Sequence, residues 1–589
     1  MSRLARVPLF TAWRQTLRAG YGRQALRGDI LAGLTVGIIA IPLAMALAIA
    51  VGAPPQHGLY TVLVAAPLIA LCGGSRFNIS GPTAAFVVIL LPIVQQHGLS
   101  GLLLCSMLAG LIMIALGLLK AGRLIQFVPY PVTLGFTAGI GIVIGGLQLK
   151  DALGLTVTAS AAHFPEQMFN LMGALPSAHL GDALIAAATL GVLIVWPRLV
   201  PKIPGHLAAL AVGTLLGLLL EFGGVDVATL GERFSYVLDG VVHAGIPPYL
   251  PGFALPWQLP GAPPLSFALI RELLAPAMAI AMLGAIESLL CAVVADGMSG
   301  SKHDSNGELI GQGLGNLIAP LFGGITATAA IARTAASVRA GAFSPLAAII
   351  HAGVVLAAML LLAPLFSYLP MAALAALLLM VAWNMAEAPH VMHTLRIAPR
   401  SDVVVLLTCL VLTVAFDMVL AVGAGLLLAA GLFIRQMSAL TDTAPLPRHF
   451  HQALQDLPEH VLAYAIRGPL FFGAAEKALN TLCRFTPGLK VVIVDLSAVP
   501  LLDMTALAAL DTVLRDFHHH RVGLIFSGTT SRVRLQLRRA GIHLHNHQLA
   551  YVHDLDQARS KALRWLAERE GKAEQAVAGS AQGGLGHRP

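Results

Sequence analysis

The chain has 589 residues, of which 57% are hydrophobic and 11% charged, and its mean hydropathy is +0.79. This composition excludes an ordinary soluble enzyme or binding domain and indicates a membrane protein with many spans. The net charge of +8 does not indicate nucleic-acid binding, because the basic residues fall in short loops where membrane topology explains them.

The N-terminal segment, residues 1–29, carries six arginines and a single acid, Asp29, before an apolar run begins at Ile30. That run is too long for the core of a signal peptide, so we predict a basic cytoplasmic segment followed by a retained first span. The five cysteines stand singly, which predicts neither a disulfide framework nor a metal site.

Fourteen apolar segments follow one another and are interpreted as membrane spans. They lie near residues 30–50, 57–73, 81–96, 99–119, 130–149, 181–197, 205–222, 272–295, 306–322, 325–338, 345–366, 370–386, 402–420 and 421–436. Basic residues follow every even-numbered segment, so we predict a transmembrane domain over 30–436 with both termini in the cytoplasm.

The pattern changes after the last span. Residues 437–450 form a polar linker with two prolines, and residues 451–569 alternate short apolar strands with helical stretches, which predicts a small α/β domain. The tail at 570–589 lacks apolar content and is predicted to be disordered.

Fourteen spans divide into seven and seven, and an odd number in each half predicts an inverted repeat, about 30–222 and 272–436. Each half contains one interrupted stretch at a matching offset: SRFNISGPTAAF at 75–86 and LFGGITATAAIARTAASVR at 321–339. Paired broken segments point to a transport site at the membrane midplane. The alternative is a glycine-rich loop between two spans.

Half-helices entering from opposite sides would aim their first N–H groups, near Thr83 and Thr326, at one central point. Such a point favours an anionic substrate. Arg333 lies on the same predicted helix face as Thr326 and would add a full charge. Alternatively, Arg333 extends to the cytoplasmic surface.

Glu287 lies about halfway along the eighth apolar segment, where a carboxylate is costly and is a functional candidate. Next to an anion site it would bind the coupling proton and so reduce repulsion with the substrate. The alternative is a structural ion pair with Arg333.

Several long motifs also resemble a known family. IPLAMALAIAVGAPPQHGLYTVL, GGSRFNISGPTAAF, NGELIGQGLGN and GGITATAAIART resemble the SulP anion transporters, and within that family the subgroup that carries C4-dicarboxylates. The resemblance implies a seven-plus-seven fold of the uracil-permease type, with core and gate domains that move in an elevator-like way. It also implies a homodimer, a C-terminal STAS domain and a bacterial inner-membrane location.

The resemblance further implies where the substrate binds. Carried over by position, the substrate site comprises Leu43, Thr83, Ala84, Glu287, and Thr328, Ala329 and Arg333. The half-helix argument above adds Thr326 to this site and gives Glu287 the role of proton-coupling residue. Many family members have glutamine in place of Leu43, proline in place of Thr326 and glycine in place of Ala329. These departures favour a larger organic anion over inorganic sulfate.

The run DLSAVPLLDMTAL at 495–507 resembles STAS domains and related regulators. In those regulators a serine at a helix start is phosphorylated, and the equivalent place here is Thr505. Thr505 is therefore a candidate phosphosite, with a helix cap as the alternative.

Three functions remain open at this stage. The first is proton-coupled uptake of C4-dicarboxylates such as succinate, fumarate or aspartate. The second is transport of an inorganic anion, bicarbonate or sulfate, with sodium as a possible coupling ion. The third is a membrane-tethered regulator whose STAS domain recruits a cytoplasmic protein. An enzyme is not expected, because the sequence has no nucleophile motif, metal cluster or phosphate loop, and no cofactor beyond the coupling ion is expected.

Overall fold

The computed structural model describes the whole chain except residues 1–7, 126–127, 158–163, 201–203, 239, 417, 448–451, 456, 472–474, 476–477, 480–487, 543–547 and 583–589. The described chain forms two compact units, Met1–Ala429 and Ala430–Pro589, of which the first is almost entirely helical.

The helices up to residue 439 are mostly long and apolar, with short connecting helices between them. In chain order they are α1 Thr11–Ala19, α2 Arg23–Ala50, α3 Pro55–Cys72, α4 Val87–Leu118, α5 Gly122–Ile125, α6 Tyr130–Ala152, α7 Phe164–Gly173, α8 Leu180–Leu199, α9 Gly205–Phe222, α10 Leu230–Arg233, α11 Phe267–Ser299, α12 Ser305–Ile318, α13 Ile331–Arg339, α14 Leu346–Phe366, α15 Met371–Ala386, α16 Ala388–Ile397, α17 Arg400–Ala415 and α18 Met418–Ala439.

Within the described residues, ten helices are long and apolar enough to cross a membrane. The predicted count of fourteen spans and the inverted repeat are not confirmed. Two predicted spans, 81–96 and 99–119, overlap α4, in which two helices meet at a kink at Gly98 (φ 67°, ψ −173°). The helices α12 and α13 have 14 and 9 residues, too few to cross a bilayer alone.

Glycines allow two long helices to touch along their backbones. An added Cβ at Gly110 of α4 would lie 2.7 Å from the carbonyl oxygen of Gly313 in α12, and one at Gly313 would lie 2.6 Å from the carbonyl oxygen of Gly110. Small residues commonly permit such close approach between membrane helices. This contact joins a helix of the first half of the chain directly to one of the second half.

Four short strands lie between these helices. β1 (Ser80–Gly81) pairs antiparallel with β4 (Thr328–Ala329), although almost 250 positions separate them in sequence. A separate hairpin is formed by β2 (Ser235–Leu238) and β3 (Val241–Ala244).

The second unit contains a five-stranded sheet with helices on both faces. Its strands, in spatial order, are β5 Asp442–Pro445, β6 Val461–Arg467, β7 Val491–Ala498, β8 Gly523–Ser527 and β9 Leu549–Tyr551. β5 runs antiparallel to β6, and the other neighbours are parallel.

Three helices accompany this sheet: α19 Met504–His519, α20 Ser531–Arg539 and α21 Leu555–Gln582. Phe517 and Phe526 belong to the core on one face, whereas Trp565 and Ile525 belong to the core on the other. The buried strands explain why the sequence pattern indicated an α/β domain.

Two details of this unit differ from the sequence-based expectation. β5 lies inside the segment 437–450 that we expected to be a polar linker, because its backbone pairs with β6. α21 continues to Gln582, past residue 570 where we expected disorder to begin. The alanine, glutamate, lysine and glutamine residues of that tail favour helix even though they cannot form a core.

Candidate anion site

The two interrupted stretches meet as a small antiparallel pair. In the pairing of β1 with β4, Ser80 lies opposite Ala329 and Gly81 opposite Thr328. The pair is extended by one further hydrogen bond, in which the backbone N–H of Ala330 donates to the carbonyl oxygen of Ile79 at 3.1 Å. The strands are buried, so this pairing satisfies backbone groups that no water could reach.

Each strand is followed by the start of a helix. Thr83 is extended and precedes a 3₁₀ turn at Ala84–Phe86, which leads into α4. On the other side Ala330 is extended and α13 begins at Ile331. The second helix therefore starts five residues later than predicted from Thr326, because the intervening residues are extended and form the strand pair.

Arg333 is buried, with 3% of its surface exposed. Its Nη2 atom donates a hydrogen bond of 2.8 Å to the carbonyl oxygen of Pro82. Gly81 makes room for it, since an added Cβ there would lie 2.7 Å from Nη1 of Arg333. Arg333 thus lies inside the protein beside the first stretch and does not extend to the cytoplasmic surface. The predicted helix face shared with Thr326 is wrong, because Thr326 precedes the helix.

Glu287 of α11 faces the same region. Its Oε2 atom accepts a hydrogen bond from the Thr83 hydroxyl at 3.2 Å. No ion pair joins Glu287 to Arg333, which removes the structural ion pair that the sequence left open. One hydroxyl is the only donor to this carboxylate among the described residues.

Thr328 and Ala329 are both fully buried and contact the next residue of α11. The hydroxyls of Thr328 and Ser288 lie 2.6 Å apart, and the backbone N–H of Ala329 donates to the Ser288 hydroxyl at 3.4 Å. Of these consecutive residues of α11, Glu287 contacts the first interrupted stretch, and Ser288 contacts both, since its carbonyl oxygen also accepts from the Asn78 side-chain amide at 3.2 Å.

Three predicted site residues lie apart from this group. The Thr326 hydroxyl pairs with that of Ser106 in α4 at 2.6 Å. Leu43 is half-buried in α2, where Pro42 interrupts the helical hydrogen bonding. Thr505 lies in the second unit, exposed on the first turn of α19, and the residue that caps that helix is Asp503.

Sequence reasoning missed a set of three buried side chains on α12, which we call the polar stripe: Glu308, Gln312 and Asn316. They follow one another at intervals of four residues and share one helix face. The sequence signal was present, since three polar residues at helical spacing in an apolar chain rarely lack partners.

The polar stripe holds both interrupted stretches. Glu308 accepts hydrogen bonds from the backbone N–H groups of Gly74 and Ser75 at 3.0 and 2.9 Å. It also accepts from the side-chain amides of Asn78 at 2.7 Å and Gln312 at 3.0 Å. The carboxylate therefore accepts four N–H hydrogen bonds and forms no ion pair with any described residue.

The rest of the polar stripe reaches the strands themselves. The Gln312 amide donates to the Ser80 hydroxyl at 2.9 Å. Asn316 pairs with the backbone of Ala327 twice, accepting its N–H at 2.7 Å and donating to its carbonyl oxygen at 2.8 Å. Gln312 thus holds the strand of the first half, and Asn316 holds the residue before the strand of the second.

The described residues contain no group of three His, Cys, Asp or Glu side chains that could hold a metal ion. The alternating histidines His543, His545 and His547 lie outside the described residues.

Comparison with known proteins agrees with this architecture. Residues 26–409 match the sulfate permease family, which is more than half of the chain. The chain belongs to the sulfate permease family. Residues 455–554 of the chain match the STAS domain.

Two curated relatives cover most of this family member. YvdB from Bacillus subtilis (strain 168), named provisionally as a sulfate transporter, is 39% identical over 91% of the chain and 97% of its own length. The bicarbonate transporter BicA from Picosynechococcus sp. is 30% identical over 87% of the chain and 90% of its own length.

Solved structures share the fold. SLC26A9 superimposes with a TM-score of 0.81 over 96% of this chain and 94% of its own, at 17% identity, which shows the fold alone. The transmembrane domain of a cyanobacterial BicA superimposes with a TM-score of 0.59 over 70% of this chain and 98% of its own, at 30% identity.

The environment of Glu308 generates the first prediction. In Glu308→Gln one carboxylate oxygen becomes an NH₂ group, which would face N–H donors and leave at least one of them unpaired. We expect a loss of about 1–3 kcal/mol in stability, measured as a lower melting temperature of the purified protein. Glu272→Gln, at an exposed position of α11, is the control and should leave the melting temperature unchanged. Equal melting temperatures for both variants would contradict the interpretation.

Proposed function

We propose that this chain is a secondary active transporter of a small anion, with the substrate bound between the two interrupted stretches. The observation that carries the proposal is the buried Arg333 beside the strand pair. Its guanidinium has no carboxylate partner among the described residues, and its buried Nε has no hydrogen-bond partner there. A buried cation without a counter-ion is costly, and an anionic substrate would supply that counter-ion.

The backbone adds to this attraction. The 3₁₀ turn after Thr83 and the helix α13 after Ala330 begin with unpaired N–H groups, and helix starts favour anions. The strand pairing supports a common site, because it draws the two helix starts toward one place. Thr83, Ala84, Thr328, Ala329 and Arg333 are the residues we propose for substrate contact.

Coupling to protons follows from comparing the two carboxylates. With both ionised, Glu287 and Glu308 would outnumber Arg333 and repel an arriving anion. Glu308 accepts hydrogen bonds from four N–H donors, whereas Glu287 accepts one from a hydroxyl. We therefore propose Glu287 as the group that takes up the coupling proton together with the anion.

The relatives favour an inorganic substrate. YvdB and BicA are named for sulfate and bicarbonate, and both are similar to this chain over nearly its whole length. Bicarbonate or sulfate is therefore our first choice of substrate, with sodium as an alternative coupling ion. A C4-dicarboxylate is the second choice and rests on the apolar side chain of Leu43 and the motif resemblance. The homodimer, the elevator-like motion, the cytoplasmic termini and the inner-membrane location belong to the same proposal.

Uptake by proteoliposomes tests the substrate. Labelled bicarbonate, sulfate and succinate are offered separately, with an inward proton gradient, an inward sodium gradient or neither. We expect one of the inorganic anions to enter faster than into protein-free liposomes, and an ion gradient to increase its rate. Faster entry of succinate alone would select the dicarboxylate. No uptake of any anion would overturn the proposal and favour a regulator acting through its STAS domain.

Replacing Glu287 tests the proton. In Glu287→Gln we expect the inward proton gradient to lose its effect, while exchange of anion across the membrane continues, because the neutral amide imitates the protonated acid. Glu272→Gln on the same helix is the control. If the variant keeps the wild-type response to the gradient, Glu287 does not carry the coupling proton.

Replacing Arg333 tests the anion contact. In Arg333→Ala we expect KM to rise at least tenfold, about 1.4 kcal/mol of lost affinity, and Arg333→Lys to recover part of it. Arg339→Ala changes an exposed arginine at the end of the same helix and should leave KM unchanged. If Arg333→Ala folds normally and its KM is unaltered, Arg333 does not contact the anion and its role is structural.

A further inference from the structure

The N-terminal helix α1 and the first turn of α2 carry four exposed arginines that the transport site does not use. We call this set the basic face: Arg14, Arg18, Arg23 and Arg27. Leu17, between the first two, is 69% exposed, and Phe10 just before the helix is 45% exposed. Exposed arginines interleaved with exposed apolar side chains are typical of a helix that lies in a membrane interface.

The opposite face of α1 is fixed to the protein. Ala12 and Thr16 are buried, and the indole N–H of Trp13 donates to the carbonyl oxygen of Ala70 at 3.2 Å. The backbone N–H groups of Phe10 and Ala12 donate to the carbonyl oxygens of Cys72 and Gly73 at 3.4 and 3.5 Å. The helix therefore has a defined orientation, with its basic face turned away from the protein.

No acid of the described chain neutralises the basic face. Asp29, the acid of this segment of the sequence, is fully buried and accepts hydrogen bonds from the Tyr21 hydroxyl and from the backbone N–H groups of Phe343 and Ser344. None of the four arginines forms an ion pair with a described carboxylate. The basic face is therefore not occupied by any described carboxylate.

The position of the basic face identifies the source of its counter-charge. α2 continues directly from Arg27 into an apolar helix whose exposed side chains include Ile30, Leu31 and Leu34. Those side chains mark the edge of the hydrocarbon layer, so the arginines lie at the level of the lipid headgroups. Topology accounts for basic residues at such a boundary, but not for a packed helix that presents leucine and arginine on one face.

We infer that the basic face binds the headgroups of anionic phospholipids. Four arginines near an anionic surface are worth about 1 kcal/mol each, and Leu17 and Phe10 would enter the apolar part of the interface. An acidic protein is the competing partner, but it would not explain the exposed apolar residues beside the arginines.

Hydrogen bonds connect α1 to the chain segment that binds the polar stripe. α1 bonds to Cys72 and Gly73, and the next two residues, Gly74 and Ser75, are those that donate to Glu308. The start of α12 is also in contact, because an added Cβ at Gly307 would lie 2.6 Å from the carbonyl oxygen of Pro8. A lipid-bound α1 therefore braces the polar stripe from outside. This consequence for transport rests on the proposed function, whereas the lipid site does not.

The test uses the full-length protein with Arg14→Gln and Arg18→Gln combined. Phosphatidylglycerol molecules retained by the purified protein are counted by native mass spectrometry, and transport is measured in liposomes with and without phosphatidylglycerol. We expect the wild type to retain phosphatidylglycerol in preference to phosphatidylcholine and the double variant to lose at least half of it. Anion uptake should rise severalfold with phosphatidylglycerol in the wild type and stay flat in the variant.

Arg396→Gln combined with Arg400→Gln is the matched control, since these two exposed arginines are also four residues apart but lie on α16 and α17. The control should retain lipid and respond to it as the wild type does. Unchanged lipid retention in the Arg14 and Arg18 double variant would overturn the inference, whatever its transport rate. Absence of uptake in the wild type would instead count against the proposed function and leave the retention result decisive for the lipid site.

Discussion

The candidate anion site depends on hydrogen bonds between one helix and two stretches of chain that are not helical. In the interior of a membrane protein, an extended backbone has no water with which to pair, so each of its polar groups must find a partner within the protein. Here the two stretches pair with each other through β1 and β4, and the polar stripe of α12 binds both. Without those bonds, the extended backbone of both stretches would be buried with unpaired polar groups.

The same arrangement gives the three charged side chains Glu308, Glu287 and Arg333 different surroundings. Glu308 is surrounded by donors and serves as an anchor, whereas Glu287 has a single donor and lies beside the strands. Arg333 is directed at the first stretch by the carbonyl oxygen of Pro82, in a space that exists because residue 81 is glycine. The two carboxylates thus have different surroundings within one fold.

Much of this was accessible from the sequence. Hydropathy and loop charge indicated a multispan membrane protein, and the matching offsets of the interrupted stretches indicated which residues would meet. The start of the second helix was misplaced because small residues such as Thr326 and Ala327 are compatible with a helix. The residues that follow, Thr328 and Ala329, are extended because they pair with the distant Gly81 and Ser80. Residue-level partners such as Asn316 with Ala327 depend on tertiary contacts that no local pattern contains.

The number of spans was less accessible for a related reason. Hydropathy detects apolar stretches, and it does not distinguish a complete crossing from a short helix that ends inside the protein. α12 and α13 are rich in apolar or small residues, so their sequences resemble spans. Their lengths of 14 and 9 residues are too short for a complete crossing. The soluble unit was easier, because its buried parallel strands have the apolar, β-branched pattern that such strands require.

The span between the bonded partners also affects how the protein is made. Glu308 and Gly74 are 234 residues apart, so the first interrupted stretch leaves the ribosome long before its anchor does. Until α12 has been synthesised and inserted, the N–H groups of Gly74 and Ser75 and the amide of Asn78 lack the acceptor they have in the finished fold. In that interval these groups need other hydrogen-bond partners, such as water or lipid headgroups. The bonds that hold the first stretch form only once the later half of the chain has been inserted.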